Sequence, residues 1–249
     1  MIEFNDPRVD GEHVSRRPSS TTDGDVVLVG VVHDHPASTF RVRTVIESVD
    51  PDVLALELPP LAVGLFEQYA RDARTPPAFG GEMSAAIQAA RPGTAGGVDR
   101  VVGIDGPSVR FAGRMARRLW SERPALSTAR TVIRGLSTAT RRAAVCRLGA
   151  GVAASTGLRL EVDSPVVHES DWQDAPEVQA DDERTQIRRS QAMLNAFGSC
   201  RASRACDLRN ETREEHMAAR LADLRDEGDV VAVVGIDHLD PLSAEFTDD

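Results

Sequence analysis

Two valine-rich runs constrain the fold of this chain more than any other feature. Val26–Val32 is Val and Leu throughout except for Gly30, and it runs directly into His33, Asp34, His35 and Pro36. About two hundred residues later, Val230–Val234 repeats the pattern and runs through Gly235 and Ile236 to Asp237 and His238. Unbroken Val/Leu without alternation suits strands buried on both faces, as in a parallel sheet covered by helices. Each run closes in Gly-x-x-His, Gly30/His33 and Gly235/His238. Ligands of open α/β sheets bind beyond the C-terminal ends of the strands, where both imidazoles would then stand. A Gly three residues before each His would let a neighbour approach the backbone closely.

The segments between them fit the same plan. Val42, Val45, Ile46 and Val49 have helical spacing after a start near Ser38, a suitable N-cap. Asp52–Leu58 reads as a strand ending at Glu57, stopped by Pro59-Pro60. With the preceding helix it forms the simplest β–α–β unit. Pro60–Arg74 and Gly81–Arg91 read as helices, the second with Glu82 in its first turn, and Val101–Ile104 as a strand ending at Asp105. Four strand ends thus carry His33, Glu57, Asp105 and His238. Singly, each has an ordinary reading as a cap or a surface residue; together they suggest a site. The fold class expected is α/β, a mostly parallel or mixed central sheet flanked by helices, with a helical Arg-rich insertion. The divisions are a mobile N-terminal tail at 1–22, the α/β core at 23–113 and 206–249, and the insertion with an acidic loop at 114–205.

Charge sets the insertion apart. All 29 basic residues are arginine, in a chain of net charge −10. Arg110–Leu160 holds eleven arginines against one acid, Glu122, and Glu161–Glu183 holds nine acids and no arginine. The basic helices are expected to pair with this acidic loop or with an acidic partner subunit, which allows a homo-oligomer. A phosphate- or nucleic-acid-binding face is the alternative, and a nucleic acid partner is not expected, because the segment lacks interleaved aromatics and any reader motif. An acidic, lysine-free chain suits a salt-rich cytoplasm, although a GC-rich genome also favours arginine codons. Three cysteines without metal spacing read as reduced thiols in a cytoplasmic protein. No apolar run approaches the ~18 residues of a membrane span.

The motifs GVVHDHPAST with PDVLALELPP, GGEMSAAIQAAR with VVGIDGPS, and TREEHMAARLADL with VVAVVGIDHLDPL resemble the TraB/PrgY (pheromone-shutdown) family, which is similar to GumN and the Tiki metalloproteases. The resemblance covers most of the α/β part and not residues 120–205. It departs from the family at Gly106, Thr212 and Pro59-Pro60, where an Arg, an acid and an Asp-x-x-Arg pattern are usual. It implies functional roles for His33, Glu57, Glu82, Asp105, Arg213 and His238, and a metal-dependent hydrolase acting on a peptide or another small amide or ester. Two imidazoles and a carboxylate are a sensible donor set for Zn, Mn or Co. His33, His238 and Glu57 would be ligands, Glu57 alternatively a base, and Glu82, Asp105 and Arg213 supporting groups, Arg213 at an oxyanion. Two alternatives stand beside this one: a metal-independent esterase-like hydrolase in which His and Glu activate water, and a regulatory or binding protein with a relic site.

Overall fold

The structure, a computed structural model, describes residues 5–19, 24–91, 97–98, 100–157, 166–197 and 203–246. Five strands form one sheet: β1 (Val14–Arg17), β2 (Val26–Val31), β3 (Val53–Leu56), β4 (Arg100–Gly103) and β5 (Val230–Gly235). Their order is β1-β2-β5-β3-β4. The four strands from β2 onwards are parallel, and β1 pairs antiparallel with β2 along one edge. The expected α/β architecture is therefore present. The stretch read as a mobile tail contains β1, in register Val14 opposite Val29. β2 and β3 are not neighbours either: β5, from the far end of the chain, lies between them and pairs with both.

Alternation along the strands divides the core in two. Val27, Val29, Val31, Leu54, Leu56, Val231 and Val233 face α1 (Pro36–Val49) and α3 (Gly81–Ala89). Val26, Leu28, Val53, Ala55, Val230, Ala232 and Val234 face α7 (Arg204–Arg225) and α8 (Ile236–Glu245). Because helices cover both faces, the strands need apolar residues at every position, and the unbroken valine runs follow from that. Helix α1 is capped by the His35 ring, whose Nδ1 accepts from Ala37 N at 3.1 Å. Ser38, the expected cap, is buried one turn further in and accepts from Val32 N at 2.8 Å.

Gly30 serves packing. A Cβ there would stand 2.8 Å from Ile236 Cδ1 and 2.9 Å from Leu239 Cδ2, so α8 rests directly on the β2 backbone. Gly30→Ala should cost about 1–3 kcal/mol, the usual price of overpacking, read as a lower denaturation midpoint in urea. An unchanged midpoint would show that α8 shifts freely.

The Arg-rich segment forms α4 (Val109–Glu122) and α5 (Leu126–Thr156), and α6 (Pro176–Phe197) follows. Phe111, Met115 and Val132 pack on Leu208 of α7. Where both partners are described, the ion pairs that these basic helices make with other elements go to α7, and residues 161–165 of the acidic loop lie outside the described residues. Arg110 pairs with Asp223, and Arg118 with Glu211 and Glu215, all acids of α7. The acidic segment turns instead to the core: Asp182 meets His35, and Glu183 meets Arg41. Helical phase explains this, since a segment's net charge does not say which neighbour each face meets. Arg159, Glu161, Asp163 and Cys200 lie outside the described residues. Cys206 is disulfide-bonded, against the expectation of reduced thiols, whereas Cys146 keeps its thiol. Among the described residues no helix is long and apolar enough to cross a membrane.

Candidate active site

The C-terminal sheet edge gathers the six nominated residues into two groups. The first is centred on Arg213 of α7. Its Nε donates to Asp105 Oδ1 at 3.0 Å, and its Nη2 donates to Asp105 Oδ2 at 2.9 Å and to Glu57 Oε1 at 2.6 Å. Its Nη1 lies 3.2 Å from His238 Nε2. A guanidinium can only donate, so Nε2 accepts, and the ring proton on Nδ1 faces Glu214 Oε1 at 3.0 Å. Burial alone would lower the Arg213 pKa, but the carboxylates of Asp105 and Glu57 outweigh it and the value rises. Glu57 is fixed from its other side by Gly235 N, which donates to Oε2 at 2.6 Å. A Cβ on Gly235 would lie 3.3 Å from that oxygen, so the second Gly-x-x-His motif makes room for Glu57. His238 itself belongs to the first turn of α8, beyond the strand end.

The second group is His33 with Glu82. Glu82 is buried at the start of α3, and its Oε1 lies 2.7 Å from His33 Nδ1. Its Oε2 accepts from Asp34 N at 2.9 Å, which ties α3 to the turn after β2. Asp34 takes a left-handed φ of 60° in that turn. His33 presents a ring 60 % exposed, and its Nε2 has no partner among the described residues. The hydrogen bond that His33 Nδ1 donates to Glu82 and that carboxylate's charge raise the His33 pKa to about 9, with Glu57 and Asp34 adding to the effect.

His33, Glu57 and Glu82 line one cleft of about 480 Å³. Its walls carry aromatic residues: Phe66 and Tyr69 of α2 (Val63–Tyr69), Phe79 and Trp172 line it, in a chain with only seven Phe, two Trp and one Tyr. Phe66 and Tyr69 meet edge-on at 5.7 Å. Asp105 and Arg213 instead line a separate cavity of about 210 Å³. All three guanidinium nitrogens of Arg213 are engaged by protein groups, so its position suits holding Glu57 better than receiving an oxyanion.

The residues expected to hold a metal, His33, His238 and Glu57, do not form a ligand set. The cation among Glu57, Asp105 and His238 is the guanidinium of Arg213. His33 turns to Glu82, and no ion pair or hydrogen bond links it to His238 or Glu57 among the described residues. No group of three or more His, Cys, Asp or Glu side chains is placed to hold a metal ion among the described residues. The donor set in this arrangement does not fit a transition metal, which needs free lone pairs converging on one point.

Several participants escaped the sequence reading. Glu214 completes the His238 environment one residue after Arg213. His168, from the segment before α6, donates through Nε2 to the His33 carbonyl at 2.8 Å, and its ring meets His35 edge-on at 4.8 Å. Asp182 receives Ser170 N at 3.0 Å and Ser170 Oγ at 2.9 Å, which anchors this segment beside the cleft. Glu183 anchors α6 itself, in a buried pair with Arg41 whose Nη1–Oε1 distance is 3.1 Å. The one sequence clue to that pair was Arg41, an arginine beside the apolar stripe of α1. No family model matches the chain, and no curated protein or solved structure matches it significantly.

Proposed function

We propose that the chain is a metal-independent, esterase-like hydrolase, acting on an ester or amide with a bulky apolar group, and that His33 serves as its base. The observation that carries this reading is the His33–Glu82 pair at an aromatic cleft. Glu82 accepts the Nδ1 proton, so the neutral ring directs the lone pair of Nε2 to solvent. Nε2 takes a proton from water as the oxygen adds to the substrate carbonyl carbon. The tetrahedral intermediate re-forms the carbonyl and expels the leaving group, which takes the proton back from Nε2. Glu82 stabilises the imidazolium between these steps and fixes the tautomer, a positioning role. The aromatic walls receive the apolar part of the substrate. Glu57, held by Arg213 and Gly235, adds negative charge beside the imidazolium and disfavours a carboxylate on the substrate.

Aryl esters of bulky apolar acids, assayed with and without EDTA, test the reading. Turnover should survive the chelator and disappear in His33→Ala. Turnover abolished by EDTA and restored by Zn²⁺ or Mn²⁺ would return the role to a metal. No turnover of any ester or amide would sink the hydrolase reading and favour a binding protein.

A further inference from the structure

Away from the cleft, α4 and α7 enclose a groove of about 410 Å³. Helix α4 supplies Arg110, Arg114 and Arg117 at helical spacing, and α7 supplies His216, Arg220 and Asp223. The groove is open at its middle: a Cβ on Gly113 would meet nothing within 4 Å. Four guanidinium groups therefore face one carboxylate. Asp223 is shared, accepting from Arg110 at 2.8 Å and from Arg220 at 3.2 Å. Arg114, half-buried, and Arg117 make no ion pair or hydrogen bond to a described residue. Their neighbour Arg118 reaches three carboxylates, Glu122, Glu211 and Glu215. In a chain with 39 acids, leaving two adjacent arginines unmatched beside one matched threefold creates local repulsion that an external anion would relieve.

We propose that this groove binds a small oligophosphate anion, with Arg114 and Arg117 as its principal contacts. Guanidinium groups present paired N–H donors that match phosphate oxygens. Three net positive charges suit pyrophosphate or the phosphate chain of a nucleotide better than a single carboxylate. His216, buried in the groove wall with Nε2 3.2 Å from Ser108 Oγ, supplies a reporter. Burial lowers its pKa, the charges of Arg114, Arg220 and Arg110 lower it further, and Asp105 opposes them.

Calorimetric titration of the full chain with inorganic pyrophosphate, at ionic strength matched with NaCl, is the test. One-to-one binding is expected, with the His216 ring titrating at higher pH once the arginine charges are offset. Arg114→Gln/Arg117→Gln should weaken binding by at least about tenfold, the worth of one or two charge-assisted bonds. Arg130→Gln/Arg134→Gln on α5, which changes net charge equally, should leave it intact. Equal weakening in both double variants would mean diffuse attraction and overturn the site. So would no heat with pyrophosphate, or binding of a short single-stranded oligonucleotide alone.

Discussion

His33→Ala lowers kcat/KM for an apolar aryl ester by about 10²–10⁴-fold, the usual worth of a positioned general base. The pH profile should be distinctive. With a pKa of about 9, only a small fraction of His33 is neutral at pH 7. The rate should climb about tenfold per pH unit from pH 6 to 8 and level off above 9. Glu82→Gln removes the hydrogen bond to a carboxylate and the charge that raise this value. Its plateau should begin nearer the ordinary histidine pKa of about 6.5, at a lower maximum. A rate that instead falls through pH 9 would make His33 an acid, and a flat profile would remove it from the reaction. The same shift links to stability. The raised folded-state value means that the charged pair stabilises the fold fully below pH 6.5, and that this contribution fades as pH rises through about 9. It should be small, because the ring is mostly exposed.

Arg41→Ala should destabilise the fold by about 3–5 kcal/mol, measured by urea denaturation, because it strands a buried carboxylate. Arg41 and Glu183 are each about 1 % exposed. Arg41 Nε also donates to the Arg8 carbonyl at 2.7 Å and Nη1 to the Gly30 carbonyl at 2.9 Å. One side chain therefore joins α6, the N-terminal segment and β2. Arg41→Met with Glu183→Leu should recover part of the loss, since an apolar pair leaves no buried charge but cannot satisfy those carbonyls. A single variant within about 0.5 kcal/mol of wild type would show that water reaches Glu183. Burial opposes ionisation of Glu183, but the Arg41 charge and its hydrogen bonds outweigh it and hold the carboxyl below its ordinary value of 4.5. The pair's contribution is therefore present above pH 4.5 and lost as pH falls through the lower, folded-state value. Because α6 anchors the segment carrying His168 and Trp172, Arg41→Ala should also weaken substrate binding at the cleft.

The sequence by itself determined the sheet. Runs such as Val26–Val32 and Val230–Val234 tolerate no solvent on either face, and that requirement fixed parallel strands, helices on both sides and polar residues at one edge. It also named the residues that gather there, since His33, Glu57, Asp105 and His238 all follow strands. Tertiary structure alone decided how they pair. β5 lies between β2 and β3, and no local pattern reports the order of parallel strands joined by long crossovers. That order put Arg213 among Glu57, Asp105 and His238 and left His33 to Glu82, so the set read as a metal centre became an ion-pair cluster beside a histidine–glutamate pair. The partners of the Arg-rich helices were likewise invisible in net charge. A guanidinium pairs with whichever carboxylate the packed helix face brings within about 4 Å, and that distance is set by helical phase and packing rather than by proximity along the chain.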